Sequence, residues 1–351
     1  MFRGINDLEQ APDGRVAYVA PVKAAPGASG GGIAMLMVAG AAVPGSCGTG
    51  SLAMCISFGT PVVAAGGTPQ YHVAWSPGGK GFAYVKSNDP SPGVVVMANG
   101  KAMGPTYTSA HQLRWSPDGS RFFYFASAPS GRFPVIDGEE LAAVGDLKEF
   151  HFSPDGKRYG FISYGPNGFS VVVDGKPQPA GQGYSPQSFQ WSQDGKHFAY
   201  GMQSSINTFG LVVDGVAKPA LLLGEFFALN PQRQPRITFP PILFSPDGNH
   251  IAHVARKNDG TGKVLVFVDA VSYEGPTQSY TFPSWSPDSK HFGTVVTTGQ
   301  GWTAMVDGKL GPYYEAILQH NVASGRFVDS HTFRFYGIKG GQIYRVTFGL
   351  P

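Results

Sequence analysis

His72, His111 and His151 each stand shortly ahead of an aromatic residue, Trp75, Trp115 or Phe152, and Arg114, Glu149 and Gln190 hold similar places ahead of Trp115, Phe152 and Trp191. Imidazoles serve as metal ligands and as general bases near neutral pH, and a guanidinium fork grips an anion. Carboxylate or carboxamide neighbours complete a polar pocket. Brought together, these six residues would bind an anion, a sugar or a metal ion. Left apart, they are ordinary solvated side chains, so the elements that carry them decide.

Other stretches with chemical potential carry less. "GASGG", residues 27–31, has the G-x-S-x-G spacing of a nucleophile elbow. That motif needs a strand-turn-helix corner with an acid and a histidine downstream, and no such corner is written here, so the segment reads as a Gly-rich loop. Cys47 and Cys55 bracket "GTGSLAM" and read either as a local disulfide of an oxidising compartment or as two unpaired thiols. Neither C-x-x-C nor H-E-x-x-H occurs, so no metal site follows from spacing. No cofactor is expected, with a metal ion at the histidines left open.

The carrying elements repeat. "RWSPDGSRFFYF" from Arg114 returns as "AWSPGGKGFAYV" from Ala74, "HFSPDGKRYGFI" from His151, "QWSQDGKHFAYG" from Gln190, "LFSPDGNHIAHV" from Leu243 and "SWSPDSKHFGTV" from Ser284. The opening aromatics Trp75, Trp115, Phe152, Trp191, Phe244 and Trp285 are spaced by 40, 37, 39, 53 and 41 residues, the mark of one copied supersecondary unit. Degenerate copies at Ala11, "APDGRVAYVA", and Phe327, "FVDSHTFRFYG", bring the count to eight. A second module alternates with the first, as in "SVVVDGKPQPA" from Ser170 and "TAMVDGKLGPYY" from Thr303, and "QIYRVTF" from Gln342 is its first half only. The unit is therefore two hairpins, or four strands.

Turn chemistry explains the spelling. In Ser-Pro-Asp-Gly the proline presets the first corner, the aspartate bonds nearby N–H groups, and the glycine takes the left-handed position. Asp-Gly in the second module is a tight-hairpin signal. "RFFYF" and "VLVFVD" lack the apolar/polar alternation of a sheet with one wet face, so both faces are expected to be buried, as in a blade sandwiched between neighbours.

The aromatic-Ser-Pro-Asp-Gly-Lys-x-aromatic-Ala-Tyr unit resembles the TolB-type, WD-repeat-like β-propeller repeat over nearly the whole chain. The resemblance implies an all-β, single-domain β-propeller over residues 1–351, built of four-stranded antiparallel blades. Eight blades are favoured, or seven if the first copy is a cap, with "MFRGIND" pairing with the short last blade to close the ring. In that family the strand before Ser-Pro-Asp-Gly is innermost. This implies that His72, His111, Arg114, Glu149, His151 and Gln190, with Gln112 and Ser188, approach the mouth of a central channel. Gly78, Gln193 and Ser289 depart from the turn motif, and looser turns are expected there.

Composition narrows the partners. Charged residues are 14% of the 351 and the net charge is +3, without the basic stripe that nucleic-acid binding needs. "IAMLMVAGAAV" from Ile33 is too short to span a bilayer. "MFRGINDLEQ" has no apolar h-region, so the chain reads as cytosolic or as the mature form of an exported protein. The resemblance and the low charge favour a periplasmic or extracellular monomer.

Two insertions break the period, at about 21–70 and 221–241. The second carries Phe226 and Phe227 with Arg233 and Arg236, residue types that dominate interface hot spots, or else it covers a blade edge. Gly104-Pro105-Thr106-Tyr107 and Gly311-Pro312-Tyr313-Tyr314 suggest either sugar platforms or outer-strand packing, packing being favoured. The expected function is a non-catalytic exported scaffold that binds a protein or small ligand at one propeller face. One alternative is a lyase or hydrolase with His72, His111 and His151 as base or metal ligands and Arg114 on an anion; a second is a lectin-like carbohydrate binder.

Overall fold

The structure, a computed structural model, describes residues 6–10, 16–22, 33–38, 41–42, 73–87, 93–165, 168–179, 187–205, 208–224, 242–256, 264–269, 271–274, 283–318 and 325–350. Every regular element among them is a β-strand. The strands form eight sheets, spanning 6–42, 73–102, 109–140, 146–178, 187–224, 243–274, 284–310 and 316–349. In seven of them four strands pair strictly in chain order. Consecutive copies of the repeat thus give consecutive four-stranded antiparallel blades of the β-propeller class.

The chain divides into two compact units, residues 1–159 with 163–166 and residues 160–162 with 167–351. The division runs through the strand Tyr159–Gly165 rather than through a linker.

Asn6–Gln10 pairs with Val16–Val22 as the first strand of the first sheet. Asn6 and Asp7 of "MFRGIND", expected to complete the last blade, therefore serve their own sheet, and residues 1–5 lie outside the described residues. In the eighth sheet Thr332–Lys339 pairs with Gln342–Gly349 on one side. On its other side Gly325–Asp329 and Ala316–Ile317 follow one another. Those two segments pair along the same edge of Thr332–Lys339, Ala316–Ile317 with its C-terminal half and Gly325–Asp329 with its N-terminal half. "QIYRVTF" pairs as a third strand, and the eighth sheet has no fourth among the described residues.

Both turns are built as their spelling requires. Asn99, Asp137, Asp174, Asp214 and Asp307 have φ between 48° and 55°, and each is followed by a glycine with positive φ. That pair of left-handed residues is the type I′ hairpin, whose twist matches the strands it joins. In the first turn the buried Ser116 hydroxyl donates to Asp118 and accepts from the Arg121 N–H at 2.9 Å, and Ser153, Ser192, Ser245 and Ser286 repeat the arrangement. The three departing turns are not looser. Gly79, Gly195 and Ser289 donate to the carbonyls of Ser76, Ser192 and Ser286 at 2.8–2.9 Å, as Gly119 does to Ser116. Ser289 holds φ at 66° without being glycine, and its hydroxyl accepts the Asp247 N–H of the preceding turn at 2.9 Å.

The cores lie between successive sheets. Ala83, Val96 and Ala98 of the second, with Tyr107 bridged to its Val94, meet Phe122, Tyr124 and Val135 of the third. Further on, Ala252 and Val266 meet Phe292, Val296 and Met305. Phe122 to Ala126 are buried without interruption, which accounts for the absence of alternation. The opening tryptophans add a polar tie, because Trp115 Nε1 donates to the Ala74 carbonyl at 3.0 Å and Trp285 Nε1 to that of Leu243 at 3.2 Å.

Candidate functional site

The residues expected to converge lie on the first strands of successive sheets. In Ser109–Trp115 the register with Phe122–Ala128 shifts between His111 and Arg114, and Gln112 takes φ of 59° there. A bulge re-aims the side chains on either side of it. The His111 ring meets the Phe125 ring edge-on at 5.3 Å. Arg114, past the bulge, reaches the next sheet, where its Nη1 donates to the Phe150 carbonyl at 2.8 Å.

Asp146–Phe152 supplies the other half. His151 Nε2 and Glu149 Oε2 are 3.5 Å apart, both somewhat more than a third exposed. At the start of the strand Asp146 pairs with Arg132 and lies 4.0 Å from Lys148 Nζ. Arg114, Glu149 and His151 are thus carried on facing first strands and linked through one backbone carbonyl. Exposed ion pairs of this kind contribute little to stability. They leave donors free instead, since a guanidinium bonded once through Nη1 has four N–H groups to offer. The arrangement suits a hydrogen-bonding surface for an anionic or polar group.

Gln190 is exposed on Gln187–Trp191, in the other unit. His72, Cys47, Cys55, Phe226, Phe227, Arg233, Arg236 and the 27–31 loop lie outside the described residues, as does the Ser188 side chain. Of the 221–241 insertion, residues 221–224 continue the fourth strand of the fifth sheet, with Leu223 opposite Phe209. Among the described residues no group of three or more His, Cys, Asp or Glu side chains could hold a metal ion. Tyr107 is 2% exposed, so it packs the outer strand and offers no face to a sugar.

The histidines directly after the first turns are paired. His197, His250 and His291 place Nδ1 2.7–2.8 Å from Asp214, Asp269 and Asp307, and Arg121 Nε donates to Asp137 at 2.9 Å. The other oxygen of each aspartate accepts the N–H that opens the second strand, from Phe198, Ile251, Phe292 and Phe122. The signal was available: in four blades a basic residue directly after the first turn, with the aspartate of the same blade's second turn 16 to 19 residues on. The first-turn aspartates are held below the usual carboxylate range, Asp118 at about 2, first by the hydrogen bond from Ser116 and then by those from Ser120. Asp194 and Asp247 are lowered in the same way by Ser192 and Ser245. These are structural carboxylates.

No family model matches the chain, and no curated protein matches it. Among solved structures it is similar to TolB from Acinetobacter baumannii, at 17% identity over 86% of this chain and 77% of that one, with a TM-score of 0.29. It is similar to Kuenenia stuttgartiensis hydrazine synthase, at 16% identity over 80% of this chain and 96% of that one, TM-score 0.33. A third likeness is to the Dos1 propeller, at 12% identity over 80% and 78%, TM-score 0.36. None of these transfers a residue's role to this chain. No helix among the described residues is long and apolar enough to cross a membrane.

A surface the sequence did not single out lies on the eighth sheet. Tyr336 and Ile343 are 43% and 61% exposed on the same face as the exposed Arg326 and Arg345, and Tyr344, on the alternate face, is 42% exposed.

Proposed function

We propose that the protein is a non-catalytic binding scaffold, a monomer exported to the periplasm or the cell exterior. It engages a protein partner or a polar ligand at the strand ends that carry Arg114, Glu149 and His151. The observation that carries this reading is the use made of the repeated polar residues. In four blades the turn serines, both sets of turn aspartates and the post-turn basic residues are bonded within the blade. What the repeat leaves for recognition is the side chains that differ from copy to copy, and Arg114, Glu149 and His151 are of that kind. Phe226, Phe227, Arg233 and Arg236 form a second contact region under the same proposal. The chain's small charge favours contacts of mixed polarity over an electrostatic grip on nucleic acid.

A photo-crosslinking residue in place of His151, compared with one in place of exposed Lys176, tests the reading in cells. One discrete adduct from position 151, lost in Arg114→Ala, is the expected result, and equal or absent labelling at the two positions removes this face from consideration. Elemental analysis of the wild-type protein and of His111→Ala/His151→Ala separates scaffold from metalloenzyme. A stoichiometric metal that disappears in the double variant sinks the non-catalytic reading.

A further inference from the structure

Each four-stranded sheet has a third strand of five or six residues covered along its outer edge by a fourth. The eighth differs. Gln342–Gly349 occupies the third place, runs for eight residues and pairs, among the described residues, with Thr332–Lys339 alone. Its outer edge carries a row of backbone N–H and C=O groups without strand partners, and such an edge templates a further strand. Protected edges carry proline, a bulge or inward charges. This strand has none of them: its register runs without a shift from Gln342 to Gly349.

The two faces of the sheet differ sharply. Phe333, Phe335, Val346 and Phe348 pack against Val295, Ala304 and Val306 of the seventh sheet. On the other face Arg326 stands opposite Arg334, Arg334 opposite Thr347, Tyr336 opposite Arg345 and Ile338 opposite Ile343. Like charges directly opposed across strands are unfavourable. No ion pair relieves the three arginines among the described residues, and Arg334 Nε is buried without a hydrogen-bond partner. The nearby carboxylates are engaged elsewhere, Asp329 with the His331 N–H and Glu315 with that of Gly340.

We propose that the free edge of Gln342–Gly349 accepts an extended acidic segment of a partner protein as the missing fourth strand. Main-chain hydrogen bonds would supply affinity and alternate side chains specificity, the general logic of strand addition. The register specifies the guest. A carboxylate opposite Arg345 meets the arginine face, with an apolar residue two positions away opposite Ile343 and β-branched or aromatic residues on the alternate face beside Tyr344 and Val346. A second copy of this chain fits less well, since any register that matches the faces adds its own arginines to the same side.

Hydrogen exchange on the full chain, with and without a synthetic alternating valine–glutamate peptide, tests this directly. The alternate backbone amides of Gln342–Gly349 that point away from Thr332–Lys339 are expected to exchange quickly in the isolated protein and to become protected on adding the peptide. Arg345→Glu should weaken that binding by about tenfold or more and prefer a valine–lysine peptide, because charge complementarity sets partner choice. The wild-type residue and Arg345→Glu, compared in an Arg326→Glu background, should keep the same order, which guards against a local folding defect. Three results overturn the proposal: outward-pointing amides already protected in the monomer, so that another segment of the chain holds the edge; protection that scales with dimerisation; or equal binding of the two peptides. None of these touches the reading of the Arg114 face.

Discussion

The hydroxyl of Tyr200, on the second strand of the fifth sheet, donates to the carbonyl of Pro179, just past the last strand of the fourth. Tyr124 makes the same bond to Met103 one pair of sheets earlier. The tyrosine of the repeated aromatic-Ala-Tyr is thus a bolt between neighbouring blades, its ring in the apolar core and its oxygen on the neighbour's backbone. Burial raises the Tyr200 hydroxyl's pKa and raises that of Tyr124 to about 12, so both remain donors at any physiological pH. Tyr200→Phe keeps the ring and removes only the bolt. It should cost about 1 kcal/mol, read as a lower urea midpoint at unchanged slope; an unchanged midpoint would show the bond to be dispensable.

His253 occupies the same place in the sixth sheet, two residues after Ile251 as Tyr200 is two after Phe198. It is 4% exposed, stacks on Phe267 at 4.8 Å, and neither ring nitrogen has a partner. Burial pushes its pKa down to about 4 from the usual 6.5. Between those values the unfolded chain binds the proton and the folded one does not, so stability is whole above pH 6.5 and declines as the pH falls towards 4. The decline from this group is about 3 kcal/mol. The depressed turn aspartates lose their contribution only below their ordinary range near 3.8, as with Asp118 at about 2, so the windows separate. His253→Phe should flatten the melting temperature between pH 6.5 and 4.5, and a wild-type slope retained in that variant would place the titration elsewhere.

Gly160 holds the small position that Ala199 and Ala252 hold in the following sheets. An added Cβ there would lie 2.4 Å from Cζ of Phe189, whose ring stacks with Phe198 and Tyr200. The ring sits inside a packed layer and has little room to retreat. Gly160→Ala is expected to destabilise by about 1–3 kcal/mol, whereas Gly168→Ala, with open space at its Cβ but φ of 93°, tests backbone strain alone. Equal losses in the two would argue against the packing account.

Fold and site were unequally legible, for a physical reason. Ser-Pro-Asp-Gly and Asp-Gly act within one hairpin, so eight copies spell out turn, strand and sheet without any knowledge of distant contacts. Phe122 to Ala126, apolar on both faces, announced the sandwich between neighbouring sheets in the same local way. Convergence is different, because it depends on how strands from separate copies lie together. Placing Arg114 ahead of Trp115 did not reveal that it reaches the Phe150 carbonyl, nor could spacing show that His151 would stand 3.5 Å from Glu149. The unpaired edge of Gln342–Gly349 was partly readable as half a module. Its arginine face was not, since Arg326, Arg334 and Arg345 come together only through strand register.

Asp307 shows how the second-module aspartate does two jobs. One oxygen accepts the Phe292 N–H at 2.9 Å and the other sits 2.7 Å from His291 Nδ1, while the residue itself holds φ at 48°. Asn99 separates the roles within this same chain: it accepts the Phe82 N–H at 3.1 Å with φ of 50°, and the position of the basic residue is there Gly81. A carboxamide therefore sustains the turn and the cap where no basic partner is present. Asp307→Asn should keep the αL turn and the acceptor for Phe292, giving up only a partly buried pairing, at a cost of about 1 kcal/mol. Asp307→Ala loses the acceptor and must hold a left-handed backbone without a polar side chain, costing about 2 kcal/mol or more. Paired thermal melts of the two variants decide the matter, and similar losses would mean that the His291 contact, not the cap on Phe292, carries the stabilisation.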